Sequence, residues 1–146
     1  MTDCTISENT ATDGHGGGLY IGHAIDKSAT VTMTNCTISK NTVANYMYGG
    51  GLYINSATLT MLSCTISENA GPYAGGGLYI EEPATVTMTD CIISGNTVSA
   101  FGGGLFITDS ATVKMAGCTL SSNTAANGGA IYISSGDVTF TDGTLT

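Results

Sequence analysis

The side chains of this 146-residue chain best suited to chemistry are five cysteines, two histidines and eleven acidic residues. The thiols stand at Cys4, Cys36, Cys64, Cys91 and Cys118, in steps of 32, 28, 27 and 27 residues. A zinc site needs thiolates and imidazoles paired at short spacing. There is no C-x-x-C and no cysteine–histidine spacing of that kind, so no metal is expected on the thiols. Calcium would need oxygen ligands, and Asp3, Asn35, Ser63, Asp90 and Asp142 do align just before the cysteines or their counterpart. The calcium nonapeptide G-G-x-G-x-D-x-U-x is not matched, which makes this a row of turn residues. His15, His23 and Asp26 read as solvated loop residues. The glycine triplets are a poor phosphate cradle, because no helical pattern follows them and G-K-[ST] is missing. No cofactor is expected.

The near-constant cysteine step belongs to a larger repeat: A-T-V-T-M-T-x-C-T-I-S-x-N-T, a variable turn, then G-G-G-L-Y-I. Insertions collect in two places only, after the repeat asparagine and after the Leu-x-Ile segment, which marks both as loops. Gly22 to Ser28 is the largest excursion. Apolar residues alternate in three phases, Leu52-x-Ile54, Leu59-x-Met61 and Cys64-x-Ile66. Period two means strands. From Met61 to Cys64 and from Ile66 to Asn69 the step is odd, which would turn a straight strand inside out, so a corner is required at each break. Three strands and three corners make one turn of a coil. The expected fold is therefore all-β, a right-handed parallel β-helix of about five coils of about 27 residues with three parallel sheets. Residues 1–146 form one domain, read as a fragment of a longer solenoid because the chain opens and closes inside a repeat.

Stacking in register turns every repeat position into a column. Leu19, Leu52, Leu78, Leu105 and Ile131 face inward, as do Val31, Leu59, Val86, Val113 and Val138, and Met33, Met61, Met88, Met115 and Phe140. The cysteines share that parity and should be buried and mainly reduced. Asn9, Asn41, Asn69, Asn96 and Asn123 should form a hydrogen-bonded ladder at a corner. Two outward faces are candidates for contact. Tyr20, Tyr53, Tyr79, Phe106 and Tyr132 alternate with the inward leucines and should form an exposed aromatic ladder, with Tyr46, Tyr48, Tyr73 and Phe101 in the preceding turn along the same edge. The second face carries Thr30, Thr32, Thr34, Thr58, Thr60, Thr85, Thr87, Thr89, Thr112, Thr139 and Thr141, interrupted by Leu62, Lys114 and Ala116. Flat threonine arrays of this kind also occur on ice-binding solenoids.

Composition narrows the partners. A net charge of -8 repels phosphate backbones and anionic lipid, so neither nucleic acid nor a membrane surface is an expected partner. No apolar run approaches the roughly 18 residues needed to span a bilayer. Low charge with abundant Thr, Ser, Asn and Gly suits an extracellular or cell-surface β-protein.

The segments Gly17-Gly18-Leu19-Tyr20 and Gly128-Gly129-Ala130-Ile131, paired with Ile-Ser-x-Asn, resemble the G-G-A-I and F-x-x-N repeats of chlamydial polymorphic outer-membrane proteins. They are more similar still to the T-I-S-G-N-T-A…G-G-G-I-Y repeats of bacterial surface β-helix proteins. The resemblance implies a surface-displayed, adhesin-like stalk. β-Helices also include polysaccharide lyases and hydrolases, whose sites gather Asp with Arg, Lys or His on one exterior strand face. This chain contains no Arg, and Asp13, Asp26, Glu68, Glu81, Glu82 and Asp109 recur at no shared strand position. Gly14-His15-Gly16 looks like part of a hydrolase motif, but its companion segments are missing. No catalytic residue is expected. The sequence thus points to a non-catalytic module with a structural, adhesive or self-assembling role, touching a protein or glycan surface or stacking end to end into filaments. Ice binding through the threonine face is the alternative.

Overall fold

The computed structural model describes residues 1–22, 29–81 and 83–146; His23, Asp26 and Glu82 lie outside the described residues. Its coil is shaped by single left-handed residues. Asp3, Asn35, Ser63, Asp90 and Asp142, each before a cysteine or its counterpart, all have φ of 51°, and Gly117 has 64°. The residue before the asparagine does the same: Glu8 at 59°, Lys40 at 56°, Glu68 at 54°, Gly95 at 65° and Ser122 at 55°. These are the two breaks where the alternation slips by an odd step. A left-handed residue swings an extended chain sharply, and Asp, Asn and Gly enter that region most easily. What unites the row before the cysteines is therefore backbone geometry.

Between the corners the chain is extended. Thr5–Ser7, Thr37–Ser39, Thr65–Ser67, Ile92–Ser94, Thr119–Ser121 and Thr144–Leu145 form a six-stranded parallel sheet. Leu19–Ile21, Leu52–Asn55, Leu78–Glu81, Leu105–Ile107 and Ile131–Ile133 form a second sheet, and Ala29–Thr34, Ala57–Leu62, Thr85–Thr89, Thr112–Ala116 and Asp137–Thr141 a third. Every pairing matches like positions: Leu52 lies between Leu19 and Leu78, Met61 between Met33 and Met88, Ile66 between Ile38 and Ile93.

One departure from expectation is a fourth parallel sheet, of two-residue strands at Thr10–Ala11, Thr42–Val43, Ala70–Gly71 and Thr97–Val98. Two residues are too few to show an alternation. The strands exist because the asparagine column before them fixes the register: the N–H groups of Thr42, Ala70, Thr97 and Thr124 donate to the carbonyls of Asn9, Asn41, Asn69 and Asn96 at 2.8–2.9 Å.

The interior holds one apolar core, with Met33, Ile38, Leu52, Leu59, Met61 and Ile66 among its fully buried side chains. Each such burial contributes about 1.5–3 kcal/mol. Cys36, Cys64, Cys91 and Cys118 are buried there as free thiols, each donating to the carbonyl two residues earlier; Cys4, in the first coil, is half-buried. Burial pushes the Cys64 thiol up from its ordinary value. The core is tightly fitted at its lower end. Gly143 takes the next place in the cysteine column because Phe140 stands where the other coils have Met, and a Cβ on Gly143 would lie 2.3 Å from the Phe140 ring.

The asparagine ladder is continuous. Each Nδ2 from Asn9 to Asn96 donates to the Oδ1 of the next asparagine at 2.9–3.0 Å, and the backbone N–H groups of Asn9, Asn41, Asn69 and Asn96 donate to the same oxygens at 3.0 Å. The glycine triplets make room for it. A Cβ on the third glycine would lie 2.9 Å from the Asn41 side chain at Gly18 and 3.0 Å from Asn69 at Gly51. The second packs on backbone of a neighbouring coil, as Gly76 does on Gly103. Only the first takes a positive φ, 72° at Gly49.

Candidate functional site

Leu19 and Ile21 point into the core, so the residue between them must point out. Repetition in register then stacks Tyr20, Tyr53, Tyr79, Phe106 and Tyr132 on one exterior face. Successive ring centroids are 5.0, 5.3, 4.9 and 5.3 Å apart with interplanar angles of 6–22°, an offset-stacked column.

The sequence places this column in solvent, and for its centre the structure corrects that. Tyr53 is 5% exposed and Tyr79 7%, whereas Tyr20 at the upper end is 49% exposed. The preceding turn is itself stacked, through bridges linking Tyr48, Ala74 and Phe101, and it stands beside the column as a second tier. Tyr48 stacks on Tyr79 at 4.5 Å, Phe101 meets Phe106 edge-on and lies 4.9 Å from Tyr132, and Tyr73 sits between Tyr48 and Phe101. Tyr53, Ala74 and Tyr79 thus form a second small core outside the coil, with Tyr48, Phe101 and Phe106 packed against it. Tyr46 is exposed.

Three polar residues belong to this wall that the sequence did not assign to it. His15, expected in solvent, is half-buried, stacked on Tyr53 at 4.5 Å and on Tyr48 at 5.0 Å, and its Nδ1 accepts the Tyr48 N–H at 3.2 Å. Burial lowers its pKa, and the Glu81 carboxylate partly offsets this. Glu81 accepts hydrogen bonds from the Tyr53 hydroxyl and the Asn55 amide. Burial first, then Glu81, push the Tyr53 phenol well above its ordinary value; burial does the same for Tyr79. The other carboxylates considered, Asp13, Glu68 and Asp109, are exposed on separate coils.

At its lower end the wall opens. Tyr73, Phe101, Phe106, Tyr132 and Ser134 line a cleft of ≈ 200 Å³. Here the second tier stops short of the last coil, because Asn127 stands in register where Phe101, Ala74 and Tyr48 stand above. Ring surface is left beside a serine hydroxyl.

The threonine face forms three columns five strands deep: Thr30, Thr58, Thr85, Thr112, Asp137; Thr32, Thr60, Thr87, Lys114, Thr139; Thr34, Leu62, Thr89, Ala116, Thr141. A shallow groove of ≈ 190 Å³ runs past Thr87, Thr89, Lys114, Ala116, Thr139 and Thr141.

Residues 1–145 match the family described as right handed beta helix region, while no curated protein and no solved structure matches the chain. With the parallel register and the repeating corners, that match makes the chain a member of the right-handed β-helix family.

Proposed function

We propose that the chain is a non-catalytic module of a surface or secreted protein, and that it makes contact by holding a neutral saccharide in the aromatic cleft. The cleft itself carries this reading. Ring surface at Tyr73, Phe101 and Tyr132, with the edge of the stacked Phe106 beside it, suits the C–H faces of a pyranose, and the hydroxyl of Ser134 suits its polar edge. At ≈ 200 Å³ the cleft is smaller than the usual ligand pocket of about 300–1,000 Å³, which fits one ring of a glycan chain running past. The acidic balance disfavours anionic polysaccharides and so points to uncharged sugars.

Binding to a neutral glycan array tests the reading. Phe101→Ala with Tyr132→Ala is expected to weaken binding at least about ten-fold, the loss of about 1.4 kcal/mol of contact, while β-sheet circular dichroism stays intact. An unchanged signal, or a wild-type array with no positives, would remove it. Tyr53 and Tyr79 make poor probes, since deleting a buried aromatic ring costs about 3–5 kcal/mol of stability in its own right.

A second reading, ice binding, is favoured by the threonine columns. Eleven of fifteen outward positions in that sheet are Thr, on a grid of about 4.8 Å across strands and about 6.6 Å along them. Thermal hysteresis that disappears in Thr87→Lys would establish it; ordinary ice growth in the wild-type protein would exclude it.

A further inference from the structure

Tyr53 is the most constrained ring of the aromatic wall. It lies against Tyr20 at 5.0 Å and 22°, against Tyr79 at 5.3 Å and 8°, and against His15 at 4.5 Å. Its hydroxyl donates to Oε1 of Glu81, and the Asn55 amide donates to the same oxygen. Such a phenol is arranged for oxidation. Loss of an electron makes the phenolic proton strongly acidic, and a carboxylate already hydrogen-bonded to it can take that proton in the same step. Tyr20, half exposed and stacked on Tyr53, offers the way in from solvent.

We propose that Tyr20 and Tyr53 are a cross-linking site, at which hydrogen peroxide acting through a haem peroxidase joins the two rings as dityrosine, with Glu81 as proton acceptor for Tyr53. Each ring gives up one electron and its phenolic proton. The Tyr53 proton passes to Glu81 and then to water, and the Tyr20 proton to water directly. The two phenoxyl radicals form one carbon–carbon bond between carbons ortho to the oxygens, and the ortho hydrogens move back to the phenolic oxygens. One peroxide takes up both electrons and both protons and leaves as two waters, so the chain loses two hydrogen atoms.

The bond would tie the first coil to the second, where each carries one member of the pair. It would hold these two neighbouring coils together without touching the thiols of the core. Phe106 separates Tyr79 from Tyr132 in the column, so coupling along the stack cannot run the length of the molecule.

The intact chain, treated with a haem peroxidase and limiting peroxide, provides the test. The monomer fraction should gain dityrosine fluorescence and lose the mass of two hydrogens, with the linked peptides containing Tyr20 and Tyr53. Tyr53→Phe keeps the stacked ring, and so the fold, but should abolish the intrachain product. Glu81→Gln should slow that product at least about ten-fold, as loss of a positioned proton acceptor does. Dimers formed through Tyr46, 81% exposed, should form at an unchanged rate and so report equal exposure to oxidant. Links found only between molecules, an intrachain link that maps instead to Tyr48 and Tyr79, or an unaltered rate in Glu81→Gln would overturn the proposal.

Discussion

Asn69 illustrates how much one position in a column carries. Its side chain makes four hydrogen bonds: Oδ1 accepts from the Asn41 amide and backbone N–H, and Nδ2 donates to the Ile38 carbonyl and the Asn96 Oδ1. All lie in the buried stretch of the ladder, so Asn69→Ala leaves several polar groups without water or partner. At about 1–3 kcal/mol for each orphaned group, a loss of about 3–5 kcal/mol is expected, read as a lowered urea midpoint with an unchanged slope. Asn123→Ala, near the lower end and half-buried, should lose less. His15 gives a pH dependence. Its folded pKa lies below the ordinary value of 6.5, so the unfolded chain binds the proton more tightly. Its contribution is present above about pH 6.5 and is lost as the pH falls towards the folded value; replacing it with Phe should flatten that region of the stability profile in thermal melts from pH 8 to pH 5. The asparagine ladder was legible in the sequence because the same residue recurs once per repeat. His15 was not, because the rings that enclose it belong to the next coil and nothing in its own segment announces them.

Among the elements, the corners were readable and the covering tier was not. Odd steps between inward residues located both corners, where the left-handed residues sit, since a straight strand keeps its parity. Two glycines separate the conformational demand of a corner from the spatial demand of the stack. Gly95 has φ of 65° but open space, the nearest atom to an added Cβ being 3.7 Å away. Gly95→Ala should therefore cost only the left-handed strain, about 1–2 kcal/mol, or a few degrees in Tm. At Gly77 an added Cβ would lie 2.6 Å from the Gly104 carbonyl oxygen and 3.2 Å from the Asn96 amide. Gly77→Ala must push neighbouring coils apart at the ladder, and its Tm is expected to fall several times further; equal losses at the two positions would show that the coils are less closely packed than described. The fourth sheet escaped the sequence because two-residue strands carry no periodicity. The burial of Tyr53 and Tyr79 escaped it because the covering residues, Tyr48 and Ala74, sit in turns of variable length with no shared spacing.

At the scale of the molecule, repetition explains both the ease with which fold can be read and the difficulty of reading function. A column of like residues is a strong signal for stacking and a weak one for any ligand, since every coil offers nearly the same chemistry. Function can enter where the repetition fails. One such place is the lower end of the aromatic wall, where Asn127 replaces an apolar residue and leaves a cleft lined by Phe101, Phe106, Tyr132 and Ser134. Another is the threonine sheet, broken by Lys114 and Ala116. These sites lie on different sheets, so location alone distinguishes them. NMR chemical-shift mapping of the labelled chain against a series of neutral oligosaccharides is the decisive measurement. Saturable shifts confined to the amides of Phe101, Phe106, Tyr132 and Ser134 and their neighbours are the expected result. Shifts centred on Thr87 to Thr89, or no saturable shift with any saccharide, would contradict the assignment of the aromatic cleft as the contact surface.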